Sequence, residues 1–403
     1  MEEWKEYRLG EIANIQTGPF GSQLHNKDYV ENGTPIVTVE HLGNKKLTTQ
    51  NLPCVTSEDR ERLKKYSMEE GDVIFSRVGS VDRCSYVDSS EEGWLFSGRC
   101  LRVRPTNIIF PLFLYYYLCQ PTIKRHIRNI AVGATMPSIN TRLLSEVPIE
   151  IPALQMQERI ASILSSLDDK IELNRKINSN LEEQAKALFK SWFIDFEPFK
   201  DGKFVDSELG KIPEGWEVVT IGDVTENIKD KVGDRDNIKV LSPITSGQLV
   251  LSEDYFSKQV FSNSIAKYIV VKHNDFAYNP ARINIGSIGM NEFNFDGCVS
   301  PVYVVFRCQK GYEYFFNLYR RTTFFAEEVK KRAIGGVRQT LSYKDLSLIQ
   351  LVYPPQKVVD NFNSIIISLL HTIHSNDVSN KKLEAIRDLL LPRLMSGEIN
   401  VRL

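Results

Sequence analysis

Two short stretches of the chain put cations directly ahead of a loop of small and hydroxyl-bearing residues. Lys124, Arg125 and Arg128 precede 131-AVGATMPS-138, which holds Gly133 and Thr135. Lys330, Lys331 and Arg332 precede 333-AIGGVRQT-340, which holds Gly335, Gly336, Arg338 and Gln339. Glycine N–H groups and short hydroxyls can approach phosphate oxygens closely, and neighbouring cations supply the attraction. A charge run is more ordinarily a solvated face, and that reading stands beside the first. The repetition of the same patch favours an anion. Two further polar loops qualify: 16-QTGPFGSQL-24, and 76-SRVGSVDR-83 with its counterpart 279-NPARINIGSIG-289. Arg77, Arg83 and Arg282 suit guanine edges, and Gln16, Gln23, Asn279 and Asn284 suit adenine edges. Gly18, Gly21, Ser22, Ser80 and Ser287 would let the backbone come close. Ordinary turn chemistry is the alternative for each of these loops.

Chemistry of the bond-making kind is missing from the pattern. There is no GxGxxG, no P-loop lysine motif, no HExxH and no GxSxG. Tyr353-Pro354-Pro355-Gln356 lacks both ends of the Asn/Asp/Ser-Pro-Pro-aromatic motif that an amino-methyltransferase carries, and Asn279-Pro280-Ala281-Arg282 lacks the second proline. The six histidines are scattered; His371 and His374 share a helix face without a further ligand nearby. The six cysteines show neither CxxC nor metal-ligand spacing and read as reduced, packing thiols of a cytoplasmic protein. No catalytic residue and no metal ligand is expected.

What must position the binding loops is a duplicated scaffold. Shifted by 202 residues, 131-AVGATMPSINTRLLSEVPIEIP-152 falls on 333-AIGGVRQTLSYKDLSLIQLVYP-354, and the match runs on without a gap to Leu188 over Leu390. At a different offset, Trp4 to Ile12 (WKEYRLGEI) resembles Trp216 to Val224 (WEVVTIGDV). Each copy thus has a similar start, a dissimilar middle and a strongly similar end.

The ends read as long helices. No glycine or proline interrupts 153–197, and Ile160, Leu164, Leu167, Ile171, Asn174, Asn178, Leu181, Ala185, Leu188 and Trp192 recur in steps of four and three. The second copy places Phe362, Ile366, Leu369, Ile373, Asn376, Asn380, Leu383, Arg387, Leu390 and Leu394 alike, with Pro392 and Gly397 as the expected stop. Asparagine on a seam costs stability and fixes register. Two stripes with asparagines at the same register predict an antiparallel coiled coil, asparagine layer against asparagine layer. Short apolar runs between Gly, Asn, Asp and Pro clusters predict small twisted sheets in 1–152 and 199–352, followed in each by one helix, 111–128 and 312–332. The segment 199–212 reads as a linker.

Composition limits the rest. With 403 residues, 42% hydrophobic and 25% charged, the chain is long enough for two or three cored domains. The net charge of −1 supplies no global field, so any nucleic-acid contact must be local. The longest apolar runs fall far short of the ~20 residues a membrane span needs, and the polar, acidic start reads as neither signal nor transit peptide. Secreted, membrane and disulfide-scaffold classes are excluded.

The order and duplication of 18-GPFGSQL-24, 71-GDVIFSRVGS-80, the Gly133, Thr135 and Leu144 motif, 213-PEGW-216 and 389-LLLPRLMSGEI-399 resemble the specificity subunit of type I restriction-modification systems. The resemblance covers essentially the whole chain. It implies an α+β fold with two target-recognition domains, joined by two long helices in an antiparallel coiled coil with pseudo-two-fold duplication. The expected domains are 1–152 and 199–352 (the second with its linker), alternating with helices 153–198 and 353–403. It further implies that the chain is no enzyme but a cytoplasmic reader of double-stranded DNA, each domain taking one half of a bipartite, asymmetric site. Its partners would be two modification subunits, which use S-adenosylmethionine, and restriction/translocase subunits, which use ATP and Mg2+; the chain itself would hold no cofactor. A helix of about 40 residues spans ~60 Å, long enough to set the spacing between half-sites. A structural coiled-coil adaptor, or a stand-alone methyltransferase or nuclease, are the rival readings.

Overall fold

The computed structural model describes residues 4–19, 23–256, 258, 261–262, 264–333, 340–399 and 401. The chain divides into two units, Met1–Arg175 with Asn376–Leu403, and Lys176–Ser375. Each is a mixed helix and sheet body packed on part of both long helices.

The two offsets in the sequence have a direct structural cause. In the first unit the start strand Lys5–Arg8 pairs antiparallel with Pro148–Ile151; in the second, Glu217–Thr220 pairs with Gln350–Tyr353. The similar start and the similar end of each copy are thus neighbours in one small sheet. The turn of helix after each start strand packs just as closely. A Cβ added at Gly10 would lie 2.8 Å from Ser145 Cβ, and one at Gly222 would lie 3.0 Å from Ser347 Cβ. Both partners of each contact recur because neither can change alone.

Between them, each unit carries a four-stranded antiparallel sheet. Its order is Ala13–Thr17, Cys100–Pro105, Val73–Ser76, Cys84–Tyr86 in the first, and Thr225–Ile228, Val304–Cys308, Phe276–Tyr278, Ile288–Met290 in the second. A second sheet, of three strands in the first unit and four in the second, follows the same plan twice, with one parallel pairing: Thr34–Val37 beside Leu95–Phe96, and Lys239–Pro243 beside Gly297–Val299. The second unit adds the strand Ile269–Val271. One clasp recurs beneath the antiparallel sheets. Arg104 grips the buried Asp72 carboxylate at 2.8 and 2.7 Å, and Arg307 grips the buried Asp275 at 2.6 and 2.9 Å. Burying a carboxylate is costly, and two parallel N–H···O bonds from one guanidinium offset that cost.

The single helices expected at 111–128 and 312–332 are each broken in two. Pro111–Cys119 gives way to Pro121–Ile130, where Pro121 cannot continue the first helix but suits the start of the next. Glu313–Tyr319 gives way to Thr323–Arg332, whose start Thr322 caps through its hydroxyl. The linker 199–212 is also more ordered than its composition suggests: Phe204–Ser207 and Gly210–Pro213 form a hairpin. Phe199 and Trp216, 5.1 Å apart at their ring centres, flank it in an aromatic cluster with Phe193 and Phe196.

The long helices span Leu154–Phe193 and Gln356–Met395, 40 residues each. Pro392 does not end the second one but lies inside it. A proline there costs ~3 kcal/mol. Burial of Leu391, Leu394 and Met395 in the first unit's core, each worth roughly 1.5–3 kcal/mol, outweighs that loss. The helix stops where Gly397 takes φ 72°. Ile160, Leu391 and Met395 enter the first core, and their counterparts at the 202-residue shift, Phe362, Phe189 and Phe193, enter the second.

Within each unit the two helices run antiparallel. In the first, Asp168 meets Arg387 and Asn174 meets Asn380, so residue numbers rise on one helix as they fall on the other. Asn174 Nδ2 donates to Asn380 Oδ1 at 2.8 Å, and both side chains are buried. Ile171 is buried with them, while Leu167, Asn376 and Leu383 are half-buried. In the second unit Asn178 Nδ2 donates to the Ile373 carbonyl at 3.4 Å, beside half-buried Leu181, Leu369 and Ile373.

Candidate nucleic-acid interface

Three of the sequence candidates in the first unit form one surface. Ile139 N donates to the Arg77 carbonyl at 2.9 Å and Gly79 N to the Pro137 carbonyl at 2.8 Å, which lays loop 76–83 alongside loop 131–138. Arg128, from the basic helix end, pairs with Asp82 of the first of these loops. Lys124 is half-buried there, and Arg125 is exposed. Gly133 takes φ 113°, and a Cβ on it would meet the Met136 carbonyl oxygen at 2.7 Å, so glycine is required by the turn itself. Thr135, Ser80 and Gly79 are exposed at the loop tips. Arg77 reaches the Gly98 carbonyl at 3.0 Å, and Arg83 donates to the Leu42 carbonyl while staying exposed.

Loop 16–24 contributes less than its sequence suggests. Gly18 is buried: a Cβ there would lie 2.2 Å from the Ser97 carbonyl oxygen, so its role is close packing rather than ligand contact. Gln23 is turned inward, its Oε1 accepting from the Tyr66 hydroxyl at 2.8 Å. Gln16, on the edge strand Ala13–Thr17, holds a buried Oε1 without a hydrogen-bond partner. Gly21 and Ser22 lie outside the described residues.

The second unit repeats the arrangement with different contents. Leu341 N donates to the Pro280 carbonyl at 3.1 Å, the counterpart of the Ile139–Arg77 bond, and Tyr278 adds a hydroxyl bond to the Leu341 carbonyl. Asn279 is spent on a local turn, its Oδ1 accepting from Ala281 N at 3.0 Å. Arg282 is exposed on the loop, and Asn284 is half-buried. Ser287 is buried and donates to the Pro243 carbonyl at 2.8 Å, so it cannot meet a ligand. Gly335, Gly336, Arg338 and Gln339 lie outside the described residues.

The two basic helix ends are not equivalent. Lys331 and Arg332 both pair with Glu328, whose carboxyl is held below the ordinary range first by its bond to Lys331 and then by Arg332. Lys330 is exposed. The first unit's helix Pro121–Ile130 contains no acidic residue, and its Arg128 pairs with Asp82 on the neighbouring loop. The repeated Lys/Arg pattern made the patches look equal because the compensating carboxylates sit earlier in the helix of one copy only.

Sequence reasoning missed the parts that orient this surface. Asp168 of the first long helix accepts from the Tyr116 hydroxyl at 2.7 Å and from Arg387 at 2.7 Å. Burial pulls the Arg387 guanidinium towards neutrality, but its bonds to Asp168 and Asp388 outweigh this and hold it above its ordinary value. Lys45 reaches Asp169 at 2.6 Å. The exposed apolar pair Val132 and Met136 was also passed over. The signal was present as two bulky apolar residues in a loop otherwise made of small ones. Among the described residues no group of three or more His, Cys, Asp and Glu could hold a metal ion, and no helix is long and apolar enough to cross a membrane.

Comparison with known proteins agrees with this architecture. The model of the type I restriction modification DNA specificity domain matches residues 1–183. The MjaIX type I restriction enzyme specificity subunit of Methanocaldococcus jannaschii is 30% identical over 413 aligned residues, covering 99% of this chain and 94% of that protein. The HindI specificity subunit of Haemophilus influenzae is 26% identical, covering 99% of this chain and 100% of its own. The crystal structure of a type I restriction-modification S subunit from M. genitalium shares the fold, with a TM-score of 0.61 at 13% identity over 98% of this chain and 96% of that one. With a relative 30% identical along nearly its whole length, the chain belongs to the family of type I restriction enzyme specificity subunits.

Proposed function

We propose that this chain is the non-catalytic, DNA-reading subunit of a type I restriction-modification assembly. Segments 1–152 and 199–352 each read one half of a bipartite, asymmetric site on double-stranded DNA. Helices 153–198 and 353–403 hold two modification subunits and set the spacer. S-adenosylmethionine, ATP and Mg2+ belong to the modification and restriction/translocase partners, and the assembly works in the cytoplasm, where its DNA is. One observation carries this reading. The same scaffold occurs twice with the same loop-to-loop bond, Ile139 to Arg77 and Leu341 to Pro280, yet the loops so displayed differ in sequence. Equal frames with unequal loops are what two different half-sites demand.

The test is a domain exchange. With residues 1–152 replaced by the matching domain of a relative, sequencing of methylated adenines in a host carrying the complete system should show one half-site changed and the other intact. A shift of both halves together would reject two independent readers. The purified chain alone should transfer no labelled methyl group from S-adenosylmethionine to DNA; incorporation would reject the non-catalytic assignment.

A further inference from the structure

The tip of loop 131–138 in the first unit combines three features that do not usually coincide. It is apolar and exposed: Val132 is 63% and Met136 66% accessible. It is braced: Val132 and Ser138 exchange backbone bonds at 2.9 and 2.8 Å, Gly79 N holds the Pro137 carbonyl at 2.8 Å, and the Ser138 hydroxyl bonds the Val132 carbonyl at 3.2 Å. It is set among cations, with Arg125 and Arg128 on the helix that runs into it. Asp82, the carboxylate on the adjoining loop, is taken up by Arg128. Exposed apolar side chains on a soft loop would fold back on the protein. Here the Gly133 turn and the bonds to loop 76–83 hold them outward.

We infer that Val132 and Met136 form an apolar wedge that enters a DNA groove and parts one base step of the half-site read by the first unit; this rests on the DNA-reading function proposed above. Apolar side chains do this in other DNA-bending proteins, where cations beside the wedge hold the backbone while a base step opens. A preformed tip loses little freedom on contact. Two side chains are far too few for a protein interface, which needs ~800 Å² per partner. They match the size of a single base step.

The experiment uses the full chain assembled with its modification subunits and duplexes carrying the site mapped by methylated-adenine sequencing. 2-Aminopurine replaces, in turn, each adenine in and beside the half-site assigned to residues 1–152. The wild type should raise the fluorescence at one step. The double variant Val132→Ser, Met136→Ser should lose that signal and bind its site on the order of tenfold more weakly, as expected for a Val or Met side chain left in water. Its salt dependence and its binding to unrelated DNA should be unchanged. Met136→Leu, which keeps the apolar volume, should behave as wild type. A double variant that binds as tightly as wild type, or a wild type with no fluorescence change at any position, overturns the wedge. Loss of the modification subunits from the double variant on co-purification also overturns it, in favour of a protein contact. A wild-type assembly that fails to prefer the mapped site over scrambled DNA rejects the reading function itself, an outcome that does not depend on the variants.

Discussion

An exposed cation and a cation already paired contribute differently to binding a polyanion. Arg125 is exposed on a helix without acidic residues, whereas Arg332 and Lys331 share Glu328. Arg125→Ala is therefore expected to weaken binding to all duplexes alike and to reduce the slope of log K against log salt by about one. Arg332→Ala, whose charge Glu328 already offsets, should move the slope less. Titrations of the assembled complex at several salt concentrations read both. The buried asparagines follow a different rule. Asn174 Nδ2 is bonded to Asn380, but Asn174 Oδ1 is buried without a partner. Asn174→Ala strands Asn380 and should cost about 1–3 kcal/mol, while leucine at both positions removes every orphaned group and should be neutral or stabilising. Thermal melting of the two variants tests this; a double variant less stable than the single one would show that the pair stabilises the helices outright rather than fixing their register.

At the scale of elements, the strand, helical turn and serine that close each unit act as one fastening. A Cβ on Gly10 would lie 2.8 Å from Ser145 Cβ, closer than the 3.0 Å between one on Gly222 and Ser347 Cβ. Gly10→Ala should thus destabilise the chain by about 1–3 kcal/mol through overpacking, Gly222→Ala by less, and Ser145→Gly should partly rescue only the first. Calorimetry of the three variants decides it, and rescue of Gly222→Ala by Ser145→Gly would refute the pairing. This fastening was half legible in the sequence. The duplication, the long helices and the asparagine seam follow from spacing, because periodicity and register leave a direct trace in residue order. The contact between similar start and similar end does not, since it joins residues far apart by number, Gly10 with Ser145 and Gly222 with Ser347. Proline shows the same limit from the other side. Pro121 ends a helix as its chemistry requires, while Pro392 is carried through one because Leu391, Leu394 and Met395 are buried around it. Local rules fail where tertiary burial outweighs them. Site residues were the least legible: Gly18 and Ser287 have the composition of a binding loop and the burial of a core.

At the scale of the whole molecule, the long helices are, among the described residues, the elements that both units share. Leu154–Phe193 begins in the first and ends in the second, and Gln356–Met395 does the reverse. If they set the spacer between half-sites, lengthening both should lengthen the spacer and leave the halves alone. The position of the insertion matters. Near Leu188 it would drag Phe189 and Phe193 out of the second core, so it belongs at the division between units, after Arg175 and after Ser375. There the Asn174–Asn380 and Asn178–Ile373 contacts, each internal to one unit, are kept. Four residues in each helix add ~6 Å and an extra turn of about 40°, a phase shift that coiled coils absorb by local unwinding. At ~3.4 Å per base pair that length is roughly two base pairs, which rotate DNA by about 70°, so the loops still nearly face their groove. The expected site therefore has unchanged halves and a spacer longer by one or two base pairs. Insertion into one helix alone should instead misalign the asparagine layer and cost assembly. Sequencing methylated adenines beside wild type reads both results, and an active double-insertion variant with an unchanged spacer would mean that the helices hold the two readers without measuring the distance between their half-sites.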